Sequence, residues 1–239
     1  MSSANYAKSL ARVLVYEGGK VDDPQDPGGR TNQGVTQRTY NAFRRSQGED
    51  ARDVYGMSSV ERNAIYKRSY WDVVRGDQLP GGLDLVVFDA AVNSGVGQAT
   101  KWLQAALGDS YEGQHDGVMG DKTLQAISDF GDPADLVGEF CSRRLATLKR
   151  LRTWGRFGKG WSARIANVEK TGLSWIDVGP VIDAADVTSL MGNQKALIAG
   201  NLKDPPVSQI ATHVTTAGAT ASAAISQATT GLQGATMFS

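Results

Sequence analysis

Cysteine is nearly absent from this chain. Cys141 stands alone among 239 residues, so no internal disulfide can form. Its setting, Leu136-Val137-x-x-Phe140-Cys141, is apolar and points to a buried filler rather than a nucleophile. Histidine is almost as scarce: His115 and His213 are the only two, and no Cys/His grouping has zinc-ligand spacing. Zinc-dependent amidase or peptidase chemistry and Cys–His proteolysis are therefore not expected, and no metal or cofactor is implied. No apolar run approaches the roughly 20 residues that span a bilayer, so no stable membrane insertion is expected. The N-terminus shows no basic segment followed by an apolar core, so no secretory signal is visible. Net charge is also missing, with 25 Lys/Arg against 25 Asp/Glu. From Pro205 to Ser239 there is no charged Asp, Glu, Lys or Arg at all.

What is present is concentrated. The 41% hydrophobic content and mean hydropathy of -0.30 suit a soluble chain long enough for a real core. Between Glu17 and Thr36 lie four carboxylates (Glu17, Asp22, Asp23, Asp26) and five glycines in twenty positions. Acidic groups crowded on a loop repel one another, and a fold keeps them where something needs them. Glycosidic bond cleavage is such a need, because it takes one protonated and one ionised carboxyl on either side of the bond. Asp-Pro and Pro-Gly-Gly are also ordinary turn chemistry. The alternating ligands and distal Glu of a calcium loop are absent.

The order Glu17-Gly18-Gly19, Asp23-Pro24-x-Asp26-Pro27-Gly28-Gly29, Thr31-Asn32-x-Gly34-Val35-Thr36 resembles the signature of the glycoside hydrolase 108 family, N-acetylmuramidases of bacteria and phages. Phe88-Asp89-Ala90-Ala91-Val92-Asn93-Ser94-Gly95, Trp102-Leu103-Gln104, Asp116-Gly117-Val118-Met119-Gly120 with Thr123, and Phe157-Gly158-Lys159-Gly160-Trp161 with Arg164 resemble the peptidoglycan-binding region that accompanies the family. Together they cover about residues 5–170. The resemblance implies hydrolysis of the MurNAc–GlcNAc β-1,4 bond of peptidoglycan, with Glu17 as general acid. By similarity to phage lysozymes of the broader superfamily, Asp26 is the second carboxylate, with Asp22 and Asp23 as competitors, and Thr31 a water or sugar contact. Asn32, Thr36, Asn93 and Trp161 are further substrate-binding candidates. Thr31, Asn32 and Thr36 could equally stabilise a hairpin, and Asn93 could equally cap a helix. A lytic transglycosylase, a chitin-type hydrolase and a non-catalytic wall-binding virion component are the alternatives.

A general acid must hold its proton, and an exposed Glu loses it near pH 4.3. Leu10, Val13, Leu14 and Tyr16 precede Glu17, so a helix over about 5–16 is expected to deliver it from an apolar platform, with Gly18 and Gly19 as a left-handed cap. A hairpin is expected around 28–36. Ser58-x-x-Glu61 is a capping box for a helix reaching Trp71. Residues 83–93 read as a central buried helix, and 98–107 as an amphipathic one. Asp121 is expected to cap a helix over 122–130, and Asp132-Pro133 to open one running to about Thr153. The fold class is α+β, mostly helical and lysozyme-like, with a small β-hairpin and an uncharged C-terminal tail. Its parts are a catalytic lobe over 1–88, a helical peptidoglycan-binding lobe over 89–178 that forms one globular unit with the first, and a low-complexity extension over 179–239.

Between Glu139 and Lys170 there are nine Lys/Arg and two Asp/Glu, interleaved with Trp154, Phe157 and Trp161. This suits an anionic polysaccharide mesh such as peptidoglycan, and it would also suit nucleic acid or be a plain solvated helix face. The resemblance favours peptidoglycan glycan strands as partner, without nucleic acid. In the tail, Ile210, Val214, Ala217, Ala221, Ala224, Ala228, Gly231 and Ala235 recur at steps of four and three, a small-residue heptad that could dock on a partner helix such as a phage tail or other virion protein. Without a visible signal, such an enzyme is made in the host cytoplasm and acts in the periplasm or cell wall, in phage lysis or wall penetration, with virion association as one route.

Overall fold

The computed structural model describes residues 3–21 and 29–176. Asp22, Asp23, Asp26 and the whole tail beyond 176, with its heptad, lie outside the described residues. Helix α1 (Ser3–Leu14) places Tyr6, Leu10 and Val13 on one buried face, at steps of four and three. It ends two residues before the expected Tyr16. The chain leaves it through short-range turns, Val15 N–H to Arg12 O, Tyr16 N–H to Val13 O and Glu17 N–H to Leu14 O. Neither Gly18 nor Gly19 takes the left-handed conformation expected of a cap. The 3₁₀-type tightening satisfies the last carbonyls instead.

Three two-residue strands follow: β1 (Lys20–Val21), β2 (Thr31–Asn32) and β3 (Val35–Thr36), paired antiparallel in that order. Thr31 faces Thr36 and Asn32 faces Val35. Gln33 (φ 47°) and Gly34 (φ 76°) make the two-residue turn between β2 and β3 with positive φ at both positions, the geometry that matches strand twist. Helix α2 (Gln37–Ser46) starts at Thr36, whose hydroxyl accepts from Thr39 N–H at 3.2 Å.

Helix α3 (Ser59–Tyr66) opens on the expected capping box. Ser58 Oγ accepts from Glu61 N–H at 3.2 Å, and Glu61 Oε2 accepts from Ser58 N–H at 2.8 Å. A π-helical turn carries the chain on to Trp71, which is fully buried. Helix α4 (Leu83–Ser94) is buried along all twelve residues, as an apolar run of that length demands. One flank, with Phe88 and Val92, joins the α1 and α3 side chains in one cluster. The other, with Leu83, Val86, Val87, Ala90 and Ala91, joins a second cluster built with α5 (Val96–Ala106), α7 (Pro133–Leu148) and α8 (Trp154–Ile176). The division at residue 88 falls inside this continuous helix. Helix α6 (Asp121–Asp129) lies between α5 and α7; its N-cap is Gly120 rather than Asp121, which is already helical.

Asp132 caps α7 by accepting from Ala134 N–H at 2.8 Å, with Pro133 in the first turn. That helix stops at Leu148, short of Thr153, and the longest helix of the described residues, α8, begins at Trp154. Gly155, Gly158 and Gly160 argue against a helix there on propensity alone. Packing overrides them: α8 crosses the start of α4 so closely that a Cβ on Gly82 would lie 2.2 Å from the Gly172 carbonyl oxygen. Cys141 is 2% exposed in this core, and burial pushes its thiol up to about 12, in line with a filler role. No helix of the described residues is long and apolar enough to cross a membrane.

Candidate active site

Glu17 sits just past α1, and its side chain is 4% exposed. Three elements surround it. The β2–β3 turn lies against it from one side: a Cβ on Gly34 would fall 2.8 Å from Glu17 Oε2 and 2.2 Å from the Tyr66 hydroxyl. Tyr66 and Tyr70, from α3 and the π-helical turn, face it from a second side. Burial first, and the Glu17 charge second, push both phenols up, Tyr70 to about 12 and Tyr66 well beyond the ordinary value. The third element is α8, whose Arg164 brings Nη2 to 3.4 Å from Glu17 Oε1.

Arg164 is anchored elsewhere too. It donates to Asp89 Oδ1 through Nε at 3.0 Å, and its Nη2 pairs with the same oxygen at 2.9 Å. Asp89, fully buried in the middle of α4, also takes 2.7 Å from Arg144 Nη1, and Arg144 Nη2 donates to Asn93 Oδ1 at 3.1 Å. Burial alone would push the Asp89 carboxyl up, but the two guanidiniums outweigh it and hold its pKa below the ordinary value. Glu17, Arg164, Asp89 and Arg144 thus form one buried network of two guanidiniums and two carboxyls, in which buried charge meets opposite charge and hydrogen bonds. The Arg164 guanidinium carbon also stands 4.7 Å over the Tyr16 ring.

The turn that covers Glu17 is itself fixed. Tyr66 donates to Gln33 O at 3.0 Å, Arg62 donates to Gln33 Oε1 at 2.6 Å, and Gln33 N–H reaches Gly19 O at 3.4 Å. Asn32, 7% exposed, donates through Nδ2 to Val54 O at 3.0 Å, tying the sheet to the 3₁₀ turn Val54–Gly56. Thr36 is engaged as the α2 cap. Thr31 keeps only a 3.5 Å contact from its hydroxyl to Gly29 O, at the edge of hydrogen bonding.

The other substrate-binding candidates lie inside the molecule. Asn93 is 1% exposed, bonded to Arg144 and Ser94. It is not the end cap of α4, since Gly95 holds that place. Trp161 is 2% exposed, packed between Trp154 and Phe157. Neither presents surface to a glycan in this structure. Arg144 and Arg164 likewise leave the basic-aromatic stretch that sequence alone placed toward a ligand. The turn at 116–120, read by resemblance as part of a wall-binding region, is pinned from beneath by buried Gln104, which donates to Asp116 Oδ1 at 2.8 Å and accepts from Gly117 N–H at 2.9 Å.

Arg144, Asp89, Tyr66, Tyr70 and Gly34 were not assigned to the site from sequence. One signal for them was visible: Asp89 stands in an otherwise apolar helix, and a carboxylate there needs a buried cation. Chemically, the arrangement offers, among the described residues, a carboxyl screened from water, held on one oxygen by a guanidinium and lying beside a glycine-tipped turn.

Comparison with known proteins bears on the family of the chain. Residues 10–95 match the family described as glycosyl hydrolase 108, and residues 98–166 match one described as a predicted peptidoglycan domain. Among solved structures, Brucella abortus SagA is similar at 36% identity with a TM-score of 0.62, over 77% of this chain and 99% of that one. No curated protein matches the chain. The chain belongs to the glycosyl hydrolase 108 family and is a peptidoglycan-directed glycoside hydrolase.

Proposed function

We propose that the chain cleaves the MurNAc–GlcNAc β-1,4 bond with Glu17 as general acid. The observation that carries this reading is the placement of Glu17: a buried carboxyl held by Arg164 at 3.4 Å beneath a glycine turn, at the start of a loop rich in aspartate. In this mechanism Glu17 gives its proton to the glycosidic oxygen as the bond to the anomeric carbon breaks. Asp26 is the second carboxylate; it activates the water or stabilises the oxocarbenium-like state, and the water supplies the new hydroxyl. Thr31 orients water or sugar. Asn32, Thr36, Asn93 and Trp161 then serve as supports, holding the sheet, α2, the ionic network and α8 in place. Its setting is phage lysis or wall penetration.

The test is digestion of purified Gram-negative sacculi, with fragments analysed by mass. Wild type releases muropeptides with reducing MurNAc ends, and Glu17→Gln lowers the rate by at least about a hundredfold, the usual loss for a missing general acid. Anhydro-MurNAc ends would instead make it a transglycosylase. Release by Glu17→Gln at the wild-type rate would refute the assignment of the acid.

A further inference from the structure

Of the nine Lys/Arg between Glu139 and Lys170, the fold consumes three: Arg144 and Arg164 are buried in the ionic network, and Arg143 pairs with Glu139 at 2.7 Å. Of the six left, Lys170 stands apart further along α8, and Lys149, Arg150, Arg152, Arg156 and Lys159 cluster. All five are exposed, and none forms an ion pair with a carboxylate among the described residues. They fall within eleven consecutive positions, 149–159, from the end of α7 through the turn into the first turns of α8. Arg156 lies over the half-buried Phe157 ring at 5.0 Å. Five like charges this close repel one another, in a chain whose total charge is zero.

We propose that this elbow binds the free carboxylates of peptidoglycan stem peptides, so that the enzyme docks on the peptides while it cuts the glycan. The idea rests on the peptidoglycan reading above and specifies which part of the wall is recognised. The sugar backbone of peptidoglycan carries almost no free charge, because its lactyl carboxyls are amide-linked to the peptides. The negative charge sits on the stems, and exposed cations that form no ion pair among the described residues fit those and not the sugars. The elbow falls within residues 98–166, which match the peptidoglycan domain. The helix that carries Arg156 and Lys159 outward also carries Arg164 inward to Glu17, about 8 Å further along its axis than Lys159. Docked peptide and scissile bond are therefore held by one rigid element.

The test uses the full chain with Glu17→Gln, so that pelleting with sacculi reads binding without turnover. Its partner carries Lys149→Ser, Arg150→Ser, Arg152→Ser and Lys159→Ser in addition; these positions are exposed, and equal melting temperatures verify the fold. The parent is expected to bind intact sacculi about tenfold more tightly than the partner at about 0.1 M salt, and to lose that advantage at about 1 M. Sacculi whose stem carboxylates have been amidated with methylamine and a carbodiimide keep the same glycan without the free carboxylates, and should be held weakly and equally by both. Equal binding of intact sacculi by the two proteins overturns the proposal, and so does parent binding of amidated sacculi as firmly as untreated ones. Elbow-dependent binding to phosphatidylglycerol vesicles, with sacculus binding unchanged, would also overturn it, in favour of a membrane surface. If the chain with Glu17 intact releases no fragments while pelleting still depends on the elbow, the hydrolytic reading fails and the peptide-docking surface stands.

Discussion

Single residues decide how Glu17 is presented. Gly34 is the sharpest case, because its φ of 76° and its approach to Glu17 and Tyr66 both exclude a side chain. Gly34→Ala is expected to cost about 1–2 kcal/mol from the left-handed backbone alone, a fall in melting temperature of roughly 2–8 °C for a chain of this size. Because the added methyl also displaces the Glu17 carboxyl, sacculus hydrolysis should fall further than stability does. Activity that tracks melting temperature alone would argue that the turn is only scaffolding. Sequence singled out Glu17 and the glycine-rich run around it as a candidate, since turn and loop chemistry is local. It missed Tyr66, Tyr70 and Arg144 because nothing local marks a residue that acts across the fold. It also read Trp161 and Arg164 by type, as aromatic and cation facing a ligand, where burial makes them core and counter-charge.

At the scale of elements, Glu61 shows how one cap can organise a corner. Its carboxylate accepts from Ser58, from the Tyr40 hydroxyl at 2.8 Å and from Arg44 at 3.0 Å, and it pairs with Arg52 at 2.6 Å. Burial works to raise its pKa, but these bonds prevail and bring it from 4.5 down to about 2. The folded state thus prefers the ionised form more strongly than the unfolded chain does. The stabilisation is complete above about pH 4.5 and disappears as pH falls toward about 2. Wild type should therefore melt higher than Glu61→Gln at neutral pH, with the gap closing between pH 4.5 and 2; a gap that stays constant across that range would exclude the linkage. The capping box was legible, since Ser58 and Glu61 are three apart, and so was α4, since twelve apolar-rich positions leave few alternatives. Helix α8 was not, because three glycines in its first seven residues depress its propensity and its stability comes from packing on α4 and α7.

Across the whole molecule, α4 is the shared wall. The two matched regions meet at its end, yet its side chains serve both clusters. A fragment ending at Gly95 would expose Leu83, Leu85, Val86 and Val87, each worth roughly 1.5–3 kcal/mol when buried. The sum, about 6–12 kcal/mol, equals the net stability of an ordinary domain. Such a fragment is expected to show no cooperative thermal transition by circular dichroism, whereas the full chain melts in one step by circular dichroism and by tryptophan fluorescence alike. A fragment that melts cooperatively would show that the first region folds alone. The link between Glu17 and Arg164 spans 147 positions. A ribosome delivers the two in that order, so the carboxyl emerges early and its guanidinium partner late. Every nascent or prematurely terminated chain that lacks α8 therefore carries Glu17 without its guanidinium partner, and the pairing waits for the last described helix to be made.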